Sequence, residues 1–517
     1  MYACLYIRMY AMRIFGCWGK MPQQAGTSPN SRLAQLDNGA KRPLVSCKLF
    51  RTTLQMIKVY LDWNVMSQMK NGQHKELKSI FLENDKFFIP YSTSHIGDLL
   101  PSLKEGETSN DYIDSDLKFI SELTKNNCIM NTGKDVVLDF LEPQELFEQR
   151  VEEKDLFKDL SIDNLSSIFD KDESTKTIGK IFTDLLKSMP LDSVFKEALE
   201  NPESAEQLNK LFPRLKENPT MEGFFKSFSE INRGLNEGED YKELRQTVQS
   251  GTEINRDKIF DIDKPFELIE EKYSKLNMQP NNHFDNSKNA PEWFNKISNE
   301  YLLLDMHGYQ EDKVNVKKGR KETFRNTTED AFHAAFASTC NFYIVNDDKS
   351  YKKTKKIYEK LEIFTYVLKP NEFVDFYKNF LNISEIGFNL SYPVRLLVDG
   401  SYYQEETETD IWKTYYFNYF LFDFFNKMRV ITSKTKTEDP IIVLGQNSAV
   451  QNKVYAMEVK RLVKTISEML GNDIDNIGEV DFSEFSEEKW IGRRWTLKGV
   501  NFRLQRNNGH FQFYIDL

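Results

Sequence analysis

Cysteines, long apolar runs and nucleotide-binding loops are scarce in this sequence. Its 517 residues include five cysteines, none of them in a CxxC pair, which argues against a disulfide framework or a zinc site and favours a reducing compartment. No stretch approaches the roughly 18 apolar residues of a membrane helix, and no HExxH, GxSxG or Walker loop is present. We therefore expect a cytoplasmic globular protein of about three domains, with no membrane partner.

Basic charge is also in deficit. The chain has 69 Lys and Arg against 79 Asp and Glu, a net charge of −10, so a nucleic-acid partner must be held locally by a basic patch or a metal ion. Residues 1–55 are the exception, with eight basic residues, one acid and no apolar period. We predict that 1–55 is a disordered or non-native extension and that the folded protein begins at Met56. An organellar leader is the alternative.

Two parts of the chain alternate between strand and helix patterns. In residues 56–135, the β-branched and aromatic run Ile57–Leu61 is followed by a helix pattern, a short apolar run at 87–89 and a second helix pattern. In residues 300–375, a helix beginning at Thr327 or Thr328 precedes the apolar run 342–345, a lysine-rich helix and a final strand. This alternation predicts an α/β fold with a mainly parallel central sheet.

The remaining segments have different patterns. Residues 136–299 contain long amphipathic stretches separated by Asn-Pro and Gly breaks, which predict a large all-helical insertion. Residues 376–517 predict an α+β C-terminal domain. Within it, the aromatic run 415–425 suggests a buried helix, and the alternating apolar residues around Asn507-Asn508-Gly509 predict a β-hairpin.

Four acids occupy related positions in the predicted fold. Asp62 and Asp347 each follow a strand, Asp330 begins the helix before the second of these strands, and Asp98 lies in the first turn of a helix after a strand. Carboxyl ends of parallel strands meet at one edge of a sheet. Clustered carboxylates repel one another unless a cation neutralises them, and all-oxygen ligation favours Mg²⁺ or Mn²⁺. Each Asp taken alone is more often a helix cap or a turn former.

Several of these segments resemble the PIN domain, a metal-dependent ribonuclease family with a three-layer fold. Val59–Val65 is similar to the family's opening strand and first acid. Asp330–Ala337 resembles its third-acid helix, Phe342–Asp348 its last strand and aspartate, and Tyr366–Phe373 its closing strand and turn. The resemblance covers 56–135 and 300–375. It implies that the metal ligands and catalytic acids are Asp62, Asp98, Asp330 and Asp347, with Asp348 as the alternative to its neighbour.

Substrate contacts are expected beside the acids. We predict that Asn64 and Asn346 contact the substrate, together with a basic loop that precedes Asp330. The predicted loop residues are Lys318, Arg320, Lys321 and Arg325. A second lysine run, 349–356, follows Asp347. Another candidate RNA surface lies near Trp490 and Trp495 and consists of Arg493, Arg494, Lys498, Arg503 and Arg506. Solvated helix faces and alternating strand faces explain these cations equally well.

The resemblance and the acids together predict a Mg²⁺- or Mn²⁺-dependent endoribonuclease that hydrolyses RNA phosphodiester bonds. A bacterial toxin or phage-defence effector is a plausible setting. Two alternatives stay open. One is a non-catalytic scaffold that binds a protein partner through 136–299 or 376–517, with the acids as helix caps. The other is a structure-specific nuclease that uses the same site on DNA, including single-stranded DNA.

Overall fold

The computed structural model describes residues 57–103, 109–158, 245, 248–249, 252–254, 256–276, 290–311, 324–383, 387–435, 439–485 and 490–516. These residues all belong to one compact unit, formed by 54–160 and 232–517. The predicted extension 1–55 and the basic loop residues Lys318, Arg320 and Lys321 lie outside the described residues, as does much of the predicted helical insertion.

A four-stranded parallel sheet is the centre of this unit. Its strands are β1 (Ile57–Leu61), β2 (Phe87–Phe88), β6 (Phe342–Ile344) and β7 (Tyr366–Leu368), in the order β2-β1-β6-β7. All three pairings are parallel. A hydrophobic core lies on each side of this sheet. Val59 and Leu61 of β1 pack in one core, and Tyr60, between them, packs in the other. The predicted α/β architecture with a parallel sheet is therefore confirmed.

Helices cover both faces of the sheet, as the two cores require. The helices that precede β6 in the chain are α1 (Trp63–Lys70), α2 (Lys75–Glu83), α3 (Thr93–Leu99), α4 (Asp111–Thr124), α5 (Pro143–Lys158), α6 (Arg256–Ile259), α7 (Pro265–Lys275), α8 (Glu292–His307) and α9 (Phe324–Ala337). The helices that follow β6 and precede the C-terminal part are α10 (Asp348–Lys360) and α11 (Pro370–Phe376). No helix in the described ranges is long and apolar enough to cross a membrane.

The order of the strands creates a switch point between β1 and β6. From β1 the chain moves to β2 on one side, and it later returns to β6 on the other side of β1. The backbone N–H of Asp62 donates to the carbonyl of Ile344 at 2.9 Å, so the pairing of these strands continues to their carboxyl ends. Open parallel sheets bind ligands in the crevice at such a point.

A smaller sheet corrects one sequence prediction. Strands β3 (Tyr91–Ser92), β4 (Asn127–Asn131) and β5 (Val136–Phe140) form it, with β3 parallel and β5 antiparallel to β4. The prediction that 136–299 is all-helical is therefore wrong for 136–140. This segment is rich in β-branched and aromatic residues and is joined to β4 by a short turn through Gly133, which makes it the second strand of a hairpin.

The C-terminal part is a seven-stranded antiparallel sheet with helices. Its strands are β8 (Tyr403–Glu406), β9 (Asp410–Leu421), β10 (Phe425–Ser433), β11 (Ile441–Gly445), β12 (Arg493–Leu497), β13 (Val500–Asn507) and β14 (His510–Asp516), in the order β12-β13-β14-β11-β10-β9-β8. Its helices are α12 (Phe388–Asp399) and α13 (Ala456–Leu470). The predicted hairpin around Gly509 is confirmed. The predicted buried helix at 415–425 is wrong, since these residues form two strands and the turn between them.

Candidate functional site

The first predicted acid is fixed directly after β1. Asp62 is the N-cap of α1, where its Oδ2 accepts a hydrogen bond from the backbone N–H of Asn64 at 3.1 Å. The Tyr343 hydroxyl lies 3.4 Å from Oδ1, and the residue is 3% exposed. Asp62 therefore caps a helix, as the alternative of a non-catalytic scaffold predicts. It also has a buried carboxylate at the switch point.

Asp347 and Asp348 take different positions after β6. Asp347 is the N-cap of α10, and its Oδ2 accepts from the backbone N–H of Ser350 at 2.8 Å. The Asp347 charge also raises the pKa of Asp62. Both aspartates are exposed, but Asp348 pairs with Lys369 at 2.8 Å, which lowers the pKa of its carboxyl. The charge of Asp347 therefore acts on Asp62, whereas Asp348 is engaged by Lys369.

Asp98 and Asp330 come from facing helices. Asp98 lies in the last turn of α3, not in the first turn as predicted. Asp330 lies in the middle of α9, because this helix begins at Phe324 and not at Thr327 or Thr328. His333, one turn after Asp330, joins the two helices: its Nε2 is 2.9 Å from Oδ2 of Asp98.

Charge effects on Asp62 and Asp330 link the four acids. Burial is the main cause that raises the pKa of Asp62, and the charges of Asp98 and Asp347 raise it further. Burial, followed by the charges of Asp62 and Asp98, raises the pKa of Asp330 well above its usual range. The structure thus brings Asp62, Asp98, Asp330 and Asp347 into one electrostatic cluster, hereafter the acidic cluster.

His333 supplies a positive charge inside this cluster. Burial alone lowers the pKa of its imidazole, but the hydrogen bond with Asp98 and the charges of Asp98, Asp62 and Glu329 outweigh burial and raise the pKa to about 9. At neutral pH the ring is an imidazolium with two N–H donors. One donor points to Asp98, and the other, on Nδ1, is 2.7 Å from the Tyr60 hydroxyl oxygen.

A buried chain of hydrogen bonds continues from His333 into the parallel sheet. With both nitrogens of His333 donating, the Tyr60 hydroxyl must donate onwards, and Oγ of Ser92 lies 2.6 Å away. The backbone N–H of Ser92 donates to Nδ1 of His95, whose Nε2 donates to the carbonyl of Leu61. Burial, with the His333 charge, lowers the pKa of His95 well below its usual range, so this ring is neutral. The chain fixes the orientation of His333 from β1 and α3.

Glu329 is a member of the site that the sequence reasoning missed. Burial and the charge of Asp98 raise the pKa of its carboxyl to about 7. A Cβ atom at Gly97 would lie 2.3 Å from Oε1 of Glu329, so only glycine allows the carboxyl to approach α3 this closely. Its spacing of four residues from His333 puts both on one face of α9, and this was the available signal.

A fall in stability with rising pH is expected from His333. A folded-state pKa of about 9, above the ordinary 6.5, means that protonation stabilises the fold fully below pH 6.5 and that this contribution is lost as the pH rises through 9. The loss should amount to about 3 kcal/mol. We expect urea unfolding between pH 6.5 and 9.5 to show this decline in the parent and not in His333→Gln. The exposed His510→Gln is the control and should retain it, and an equal decline in all three proteins would contradict the assignment.

The predicted substrate contacts are only partly in place. Asn64 is exposed beside Asp62, while the side-chain amide of Asn346 donates to Gln68 at 3.0 Å. Arg325 donates to the carbonyl of Gly97 at 3.3 Å and its charge lowers the pKa of Glu329. The second lysine run is largely engaged by acids: Lys349, Lys352, Lys353 and Lys356 each pair with Asp or Glu side chains.

The fit of a divalent cation to these residues has two sides. Among the described residues, no three His, Cys, Asp or Glu side chains stand close enough together to hold a metal ion as a group. The donors nevertheless fit Mg²⁺ or Mn²⁺ in type and charge, because burial and neighbouring acids raise the pKa values of Asp62 and Asp330, and a cation would relieve the repulsion between these charges. Mg²⁺ keeps several waters and commonly needs only one or two direct carboxylates. The cluster therefore suits a hydrated cation rather than a closed protein cage.

Comparisons with protein-family models, with curated proteins and with solved structures find no match to this chain.

Proposed function

We propose that this protein is a PIN-type nuclease that hydrolyses RNA phosphodiester bonds with Mg²⁺ or Mn²⁺. One observation carries the proposal: acids from β1, α3, α9 and the end of β6 form a single electrostatic cluster at the switch point of a parallel sheet. Repulsion between carboxylates is unfavourable unless a cation neutralises them, and the crevice at a switch point is where open parallel sheets bind ligands.

The proposed roles of the residues follow from how each is held. Asp62, Asp98, Asp330 and Asp347 would bind the cation, which when present activates water and stabilises the leaving oxygen. Hydrogen bonds from the helix N-termini fix the carboxylates of Asp62 and Asp347. His333 holds Asp98 and offsets part of the negative charge of the cluster, so that an anionic phosphate can approach.

Adjacent aspartates offer a sharp test. Asp347→Asn should reduce Mn²⁺-dependent cleavage of single-stranded RNA by about 100-fold or more, because several kcal/mol of transition-state stabilisation depend on the metal. Asp348→Asn removes the same charge one residue away, from an exposed ion pair with Lys369, and should leave cleavage within about twofold of the parent. Equal losses in both variants would contradict the assignment of Asp347.

The same assay separates the alternatives. Cleavage of single-stranded DNA in preference to RNA would support the DNA nuclease. The scaffold is favoured by the capping roles of Asp62 and Asp347. It predicts that the parent neither cuts nucleic acid nor gains thermal stability with Mn²⁺. Stabilisation by Mn²⁺ without cutting would indicate an intact metal site in a nuclease that needs an activator.

A further inference from the structure

The seven-stranded sheet has two faces of different character. One face supplies Tyr415, Met428, Leu444, Trp495 and Phe513 to the core beneath α13. The register of the strands assigns the alternate residues to the other face, hereafter the open face, and its apolar residues are absent from that core. Trp412, Tyr416 and Tyr514 lie on the open face, and Tyr416 is 58% exposed.

Paired positions form a row across the open face. Arg494 on β12 pairs with Arg503 on β13, which pairs with Tyr514 on β14. Tyr514 pairs with Val443 on β11, which pairs with Arg429 on β10. At the usual strand spacing, Arg429 and Arg503 lie about 14 Å apart, with an aromatic ring between them. Lys427 and Tyr416 form a second pair beside this row.

Two cations at the centre of the open face have no acidic partner. Among the ion pairs of the described residues, neither Lys427 nor Arg429 takes part in one. The Arg429 guanidinium lies over the Trp412 ring at 4.6 Å and donates a hydrogen bond to the Thr414 hydroxyl at 3.4 Å. Burial and the Arg429 charge lower the pKa of Lys427, so the folded chain holds two repelling cations together. A bound anion would relieve this repulsion.

Other cations of the sequence are already engaged. Arg493, from the predicted C-terminal basic set, is buried and forms hydrogen bonds with both carboxylate oxygens of Glu484. Arg494 pairs with Asp475, and Arg503 pairs with Asp516 while lying over the Tyr514 ring at 4.7 Å. The alternation of strand faces therefore divides the predicted set, and Lys427 and Arg429 are open-face cations that take part in no ion pair among the described residues.

We propose that the open face binds single-stranded RNA, with Lys427 and Arg429 contacting phosphates and Tyr416 stacking on a base. Exposed aromatic rings interleaved with cations on a sheet suit unpaired bases, because a ring can stack only on a base that is not stacked in a duplex. A purely apolar partner would leave both cations buried without a counter-charge. The proposal depends on the proposed function for the choice of RNA, since any unpaired nucleic acid offers phosphates and bases.

Binding of the full chain in EDTA tests this inference without requiring catalysis. The probe is a fluorescent oligouridylate of about 16 nucleotides, which exceeds most single-strand sites. Lys427→Gln/Arg429→Gln should weaken binding by about tenfold and reduce the slope of log affinity against log salt by about 1.4. Tyr416→Ala should weaken binding by about tenfold with little change in that slope. The control Lys460→Gln/Lys464→Gln removes the same charge from α13, on the opposite side of the sheet.

Several outcomes would overturn the proposal. The first is equal affinity of the open-face and α13 variants for the oligouridylate. The second is equal affinity of the parent for duplex RNA of the same length. The third is competition by polyglutamate that is as effective as competition by unlabelled RNA. The last result would assign the surface to an acidic protein instead. Failure of the nuclease proposal gives a different pattern. RNA binding in EDTA would still depend on the open face, but Asp62→Asn and Asp330→Asn would cleave RNA as well as the parent, or neither the parent nor the variants would cleave it.

Discussion

Asp330→Asn is expected to abolish RNA cleavage and, without metal, to raise the midpoint of thermal unfolding. A carboxyl whose pKa is raised in the folded state destabilises the fold at any pH above its unfolded pKa, and burial with the charges of Asp62 and Asp98 raises that of Asp330. Asparagine keeps the shape and removes the charge. Each kcal/mol recovered should raise the midpoint by about 2–4 °C, while cleavage falls by about a thousandfold.

A fall in cleavage together with a rise in the unfolding midpoint distinguishes a functional acid from a structural one. Mn²⁺ at about 100 times its dissociation constant should stabilise the parent by about 2.7 kcal/mol and should stabilise Asp330→Asn much less. Asp261→Asn is the matched control, because hydrogen bonds with Gln310 and Lys352 lower the pKa of this carboxyl and stabilise its ionised form. Its midpoint should not rise. A lower metal-free midpoint for Asp330→Asn would favour the scaffold.

The sequence identified the sheet and its acids because these depend on local patterns. The run Ile57–Leu61 is buried on both faces of a parallel strand and therefore has no polar alternation, and Asp62 directly follows it as a helix cap. Asp347 repeats this arrangement after β6. The convergence of the two acids follows from parallel pairing, which the alternation of strands and helices predicts.

Long-range contacts were not visible in the same way. The role of His333 depends on Asp98, which is 235 positions away, and on a hydroxyl from β1. The prediction of a buried helix at 415–425 was wrong because the chain reverses direction at Phe422 and Asp423, both with a positive φ of 55°. Three residues, 422–424, connect the paired Leu421 and Phe425. Glycine normally marks such a short hairpin loop, and a phenylalanine in the left-handed region has no sequence signal.

Lys58→Met is expected to lower the free energy of unfolding by about 3–5 kcal/mol. Lys58 lies on β1 and is fully buried, and its ammonium contacts Oε2 of Glu458 on α13 at 3.1 Å and the carbonyl of Lys453. Glu458 is also fully buried. Removal of the lysine leaves a carboxylate in the interior without its counter-charge, so Glu458 must either stay ionised at high cost or take up a proton.

The double variant Lys58→Met/Glu458→Leu shows whether the charge or the packing matters. Replacement of both partners by apolar residues leaves no unpaired charge and should recover most of the lost stability, as measured by urea unfolding. Lys264→Met breaks an exposed pair with Glu267 and should leave the midpoint of urea unfolding nearly unchanged. If the double variant were no more stable than Lys58→Met, the loss would come from packing around the lysine stem. Recovery would show that the loss in Lys58→Met comes from the unpaired carboxylate of Glu458, which lies 400 positions away in the chain.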